Sequence, residues 1–130
     1  MPALRTCLIV DDSSLDQQMM HRAMDSADVG VDLLFAGALS EARAVLKAVD
    51  VSLMFLDNSM PDGWGADFVC ELARDPQLKT VPVIIVSDWP SPFLYAKARA
   101  ANVREVWSKR DFTPEAIRRV VQAQGLGAER

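Results

Sequence analysis

Leu53-Met54-Phe55-Leu56-Asp57 runs directly into Asn58-Ser59-Met60-Pro61-Asp62-Gly63-Trp64-Gly65. Apolar residues in unbroken succession, without polar alternation, suit a strand covered on both faces, as in a parallel sheet. The carboxylate that ends the run opens into a Pro/Gly turn. A charge at the edge of a core is costly unless a partner or a metal offsets it. Cys7-Leu8-Ile9-Val10 repeats the pattern and ends in Asp11-Asp12. Two strands that deliver Asp11, Asp12 and Asp57 toward one place point to a divalent-cation site.

Outward from these runs, the chain alternates short apolar stretches with helical patterns. Cys7–Val10, Val31–Phe35, Leu53–Leu56, Val83–Val86 and Val103–Trp107 read as strands. Ser13 or Ser14 can cap a first helix, and Ser14 with Gln17 has capping-box spacing. Its buried stripe is expected to be Leu15, Met19, Ala23 and Met24. Ser40 is the expected cap of a second helix that buries Ala42, Val45, Leu46 and Val49. A third runs from about Gly65 to Arg74 and stops before Asp75-Pro76, since the residue before proline disfavours helix. A fourth follows Ser91-Pro92. A fifth has Thr113 as cap, Pro114 at its first position and Glu115 in its first turn, where negative charge suits the helix dipole. Strand-helix units in this succession predict an α/β fold with a doubly wound, five-stranded parallel sheet.

The 130 residues fit one domain, expected over 1–124, with 125–130 as a flexible tail and no room for an attached effector. Half the residues are hydrophobic, enough for one core. The net charge of −4 and the lack of a basic run argue against a nucleic-acid surface. No stretch approaches the roughly 20 apolar residues of a membrane span, and no signal peptide is recognisable, so the expected location is cytoplasmic. Cys7 and Cys70 read as free thiols, because a chain with this core needs no disulfide.

In open α/β sheets, ligands bind beyond the carboxyl ends of the strands. Asp11, Asp12 and Asp57 follow strand ends. So do Ser87, after Val83-Ile84-Ile85-Val86, and Lys109, after Val106-Trp107-Ser108. Three acids, a hydroxyl and an ammonium suit phosphoryl chemistry. Magnesium takes one or two carboxylates plus phosphate oxygens and relieves their repulsion. A carboxylate can attack phosphorus to give an acyl phosphate, and such transfer needs mainly positioning and charge neutralisation. The structural alternatives are a helix cap for Asp11 or Asp12, a strand-end turn for Asp57 and Ser87, and a solvated lysine for Lys109.

Taken together, these residues resemble the receiver domain of two-component response regulators, over nearly the whole chain. Asp11-Asp12 match that family's magnesium pair, Asp57 its phosphoacceptor, and Met60-Pro61 with Gly65 the loop that follows. Ser87 matches its Ser/Thr and Lys109 its lysine. The resemblance implies a flavodoxin-like (βα)5 fold with strand order 2-1-3-4-5. It implies Mg2+ bound by Asp11, Asp12, Asp57 and a backbone carbonyl near Ser59. It also implies phosphorylation of Asp57 by a sensor histidine kinase or phosphotransfer protein, without enzyme activity beyond self-phosphorylation and slow acyl-phosphate hydrolysis.

The chain departs from the family pattern at four places. Arg110 stands where proline usually follows the lysine, often in a cis bond. Asp88 replaces the small residue after the Ser/Thr, adding a carboxylate that Arg110 would have to offset. Trp89 comes next and is expected to shield an acyl phosphate from water. Val106 stands where a switching Tyr or Phe is common, with Trp107 beside it. These departures motivate the alternative, a pseudo-receiver that binds proteins independently of phosphorylation. A haloacid-dehalogenase-like phosphatase would need an acid two residues after Asp57, where Ser59 stands.

Met19, Met20 and Met24 read as helix core and surface filler, and His21 as a solvated helix residue. Trp89, Phe93 and Tyr95 either pack the fourth helix or form a docking patch. By resemblance, a separate downstream protein would read the face formed by helix 4, strand 5 and helix 5. That face leaves a homodimer open. No nucleic-acid or membrane partner is expected.

Overall fold

The computed structural model describes residues 5–101 and 103–125. Most of the expected tail, residues 126–130, lies outside the described residues. In chain order the elements are β1 (Thr6–Val10), α1 (Ser14–Ala27), β2 (Asp32–Ala36), α2 (Leu39–Ala48) and β3 (Leu53–Asp57). A small hairpin follows, β4 (Ser59–Met60) with β5 (Gly63–Trp64), then α3 (Gly65–Ala73) and β6 (Val83–Ser87). The chain continues through α4 (Pro92–Ala100), β7 (Glu105–Ser108), a 3-10 turn (Lys109–Asp111) and α5 (Pro114–Ala123).

The main sheet has the order β2-β1-β3-β6-β7, all pairs parallel. Without the hairpin strands this is the expected 2-1-3-4-5. β1, β3 and β6 sit inside the sheet and every residue in them is buried. That explains their unbroken apolar runs. Successive side chains still alternate between faces. Leu8, Val10, Met54, Leu56 and Ile85 meet α2, α3 and α4 on one face. Cys7, Ile9, Leu53, Phe55, Ile84 and Val86 meet α1 and α5 on the other, with Trp107 and Phe112. Phe55, Trp107 and Phe112 pack ring to ring with centroids 5.0–6.0 Å apart. Both cysteines are free.

The chemistry of the helix ends places most helices as expected. Ser91 Oγ accepts from Leu94 N at 3.2 Å, and Thr113 Oγ1 from Ala116 N at 3.2 Å, each cap preceding a proline. Ser13, rather than Ser14, caps α1 through Asp16 N at 3.2 Å. Ser40 is not a cap. α2 starts at Leu39, after Ala38, whose side chain caps nothing. The missing acceptor comes from across the fold: Asp62, between β4 and β5, accepts from Leu39 N at 2.8 Å and from Ser40 N at 3.0 Å.

Three other expectations shift. The buried stripe of α1 is Met20, Met24 and Ala27, while Leu15 is 73% and Met19 38% exposed. Met19 and Met20 are adjacent, so hydrophobicity alone could not phase the helix; packing against α5 decides it. On α2, Val49 is exposed too. The last strand begins at Glu105, not Val103. Val103 N is spent on Ala98 O at the end of α4, and only from Arg104 N, on Val83 O at 2.9 Å, does the chain join β6.

Candidate functional site

The carboxyl ends of β1, β3, β6 and β7 converge on one cleft. Asp11 follows β1 directly, and its own N–H still pairs with Ala36 O at 3.0 Å. Asp11 Oδ1 accepts from Ser13 N at 2.9 Å, and Gln17 Nε2 donates to Asp11 O at 2.6 Å. The first turn of α1 therefore holds this carboxylate in place. Asp57 is the last residue of β3, in register with Val86. Its Oδ1 accepts from Ser59 N at 3.2 Å. Asn58 takes the backbone onward: its carbonyl accepts from Gly65 N and its Oδ1 from Ala66 N, at 2.8 and 3.0 Å. α3 thus starts against the acid.

Lys109 enters from the other side. Its Nζ lies 2.5 Å from Asp16 Oδ2, 3.0 Å from Asp11 Oδ2 and 3.3 Å from Asp57 Oδ2. No proline is needed to aim it. Ser108 N and Oγ donate to Asp111 Oδ2 at 3.2 and 2.9 Å, and this capping box sets the turn. No peptide bond among the described residues is cis. Ser87 is buried at the end of β6, where its Oγ accepts from Trp89 N at 3.3 Å.

The charges are poorly solvated. Burial pushes Asp57 up from 3.8 to about 6, against the opposing pull of Lys109 and the Ser59 N–H, with Asp11 adding to the rise. Burial raises Asp11 as well, despite Ser13 and Lys109. Burial pulls Lys109 down, but Asp16, Asp11 and Asp57 outweigh it and hold it above the ordinary lysine value.

A hard cation fits this donor set. Oxygen atoms of Asp11, Asp12 and Asp57 lie within 4.8 Å of one another, with Asp12 open to solvent. Asp11 Oδ2 is buried and receives no hydrogen bond; Lys109 Nζ is near it, but off the angle that a hydrogen bond requires. A buried carboxylate oxygen without a donor suits a divalent ion with oxygen ligands. Ser59 is exposed on β4, beside Asp57.

The structure brings together Asp11, Asp12, Asp57 and Lys109, with Ser59 and Ser87 in the adjoining strand ends. The sequence reading missed Asp16. Its only signal was a carboxylate three residues after a capping serine, which reads as helix-dipole chemistry. Trp89, the residue expected to shield an acyl phosphate, is 85% exposed. Asp88 and Arg110 are both exposed, and no ion pair joins them among the described residues. Trp107 does not replace a switching aromatic at the site. It is buried on the α1/α5 face, with Nε1 donating to Glu105 Oε1 at 2.8 Å. Of the aromatic segment only Leu94 turns inward, while Phe93 and Tyr95 are 75% and 42% exposed. No described helix is long and apolar enough to cross a membrane.

Known proteins resemble this chain in sequence and fold. The chain is 29% identical over 124 residues to the hydrogenase transcriptional regulatory protein HoxA of Cupriavidus necator, covering 93% of this chain and 25% of that protein. It is 31% identical over 81 residues to the two-component response regulator ORR12 of Oryza sativa subsp. japonica, covering 62% of this chain and 65% of that one. The chain thus spans about a quarter of the bacterial regulator's length. The chemotaxis protein CheY4 of Vibrio cholerae superposes with a TM-score of 0.80 at 25% identity, over 93% of this chain and 98% of that chain. A response regulator receiver protein from Pseudomonas putida gives 0.82 at 21% identity, over 95% and 99% of the two chains. Residues 7–122 match the family of the response regulator receiver domain, and the chain belongs to that family.

Proposed function

We propose that residues 1–124 form a phosphorylation-dependent receiver in which Asp57 accepts a phosphoryl group from a sensor histidine kinase or phosphotransfer protein. Receiver domains are signalling modules that bind Mg2+ at an acidic pocket and interact with such proteins. The observation that carries the reading is the meeting of the Asp11, Asp12 and Asp57 oxygens, with the Lys109 ammonium against the buried Asp11 and Asp57.

An Asp57 carboxylate oxygen would attack phosphorus of a phosphohistidine. An O–P bond forms, the N–P bond breaks, and the electron pair stays on the imidazole nitrogen. Asp11, Asp12 and Asp57, with a backbone carbonyl near Ser59, would hold Mg2+, which neutralises the phosphoryl oxygens. Lys109 and the Ser87 hydroxyl would bind the remaining oxygens of the acyl phosphate and shift the loops toward one of two arrangements. A separate target would read the face formed by α4, β7 and α5.

Mass spectrometry after incubation with acetyl phosphate and MgCl2 tests the reading. The expected result is one added phosphoryl group, absent in D57N. A wild-type protein without that gain overturns it in favour of the phosphorylation-independent binding module.

A further inference from the structure

We infer that Asp16 is a positioning residue of this site, which holds the Lys109 ammonium in the resting state and competes with the phosphoryl group for it. The inference rests on the phosphoacceptor reading above.

Asp16 occupies the site end of the inward stripe of α1, one turn before Met20. It is the nearest of the three carboxylates to Lys109 Nζ, at 2.5 Å against 3.0 Å for Asp11 and 3.3 Å for Asp57. Only this contact and the one to Asp57 have hydrogen-bond geometry. Lys109 is the only cation paired with Asp16 among the described residues. The Asp16 side chain takes no part in the helix cap, because Ser13 Oγ engages its backbone N–H. Its carboxylate is thus committed to Lys109 and to nothing else in the described fold.

Two consequences of opposite sign follow. Asp16 draws the ammonium away from Asp57 and Asp11, and adds a fourth negative charge beside the cation pocket. Both effects favour a divalent ion. The same charge repels an incoming phosphoryl group and withholds Lys109 from its oxygens. Loss of the Asp16 charge should therefore weaken magnesium binding and strengthen binding of a phosphoryl group, whereas a merely structural residue would weaken both.

Isothermal titration calorimetry of wild type, D16N and D16E with MgCl2, then with beryllofluoride at saturating MgCl2, separates these cases. D16N is expected to bind Mg2+ about three- to tenfold more weakly and beryllofluoride more tightly by a similar factor. D16E keeps the charge and is expected to stay within about twofold of wild type for both. If D16N weakens both ligands or changes neither, the inference falls while the phosphoacceptor reading stands. If wild type binds neither ligand, both fall.

Discussion

A Cβ on Gly65 would stand 2.6 Å from the carbonyl oxygen of Asp57. Real side chains do not approach backbone so closely. Asn58 Cα, in the same peptide unit, follows at 3.0 Å. Glycine here lets α3 begin directly behind the phosphoacceptor candidate. G65A must push β3 and α3 apart, and its expected cost is about 1–3 kcal/mol in urea unfolding. Acetyl phosphate labelling of Asp57 should fall with it. A variant as stable and as readily labelled as wild type would show that the contact is unimportant.

The buried charge on Asp57 makes stability depend on pH. Its folded-state pKa, about 6, lies above its ordinary 3.8, so the folded protein binds more protons between these values. This contribution is fully present below about pH 3.8 and is lost as pH rises through about 6. Asp11 shifts in the same direction. D57N should therefore stabilise the metal-free protein at pH 7.5 by about 1–3 kcal/mol, and the gain should vanish near pH 4. Urea titrations in EDTA at several pH values measure it. A destabilised D57N at pH 7.5 contradicts the electrostatic account.

Lys109 is the only cation paired with Asp11 and Asp57 among the described residues. K109A leaves both carboxylates uncompensated and should cost about 3 kcal/mol in metal-free buffer. Millimolar MgCl2 should recover part of the loss, because the ion takes the place of the ammonium charge. The midpoint of the magnesium titration should move to lower concentration than in wild type. Equal midpoints would mean that lysine and metal act at separate places.

The phase of α1 can be tested by two adjacent substitutions. Met20 is 2% exposed and Met19 38% exposed. M20A should cost about 2–5 kcal/mol, and M19A well under half of that. Chemical denaturation of the pair settles the matter; equal losses would mean that the helix is rotated from the position described.

Where one feature had one reading, the sequence sufficed. Leu53–Leu56 and Val83–Val86 are apolar at every position and short, which suits a central strand covered on both sides. Ser91-Pro92 and Thr113-Pro114 carry their caps within a residue or two of the helix start. Asp57, Ser87 and Lys109 were visible because each is a polar group standing where an apolar strand stops. Asp62 was not, because a residue that caps a helix 23 positions earlier in the chain leaves no local pattern.

The order of apolar runs and polar strand ends determined the α/β architecture and named five of the groups at the cleft. Those properties follow from hydrophobic patterning and local backbone chemistry, which are written within a few residues. Tertiary structure alone decided which side of α1 faces inward, that Asp62 closes α2, that Trp89 stands in solvent, and that Asp16 shares the lysine. Each depends on an angle or a distance between distant segments, and packing sets those only when the whole chain is folded.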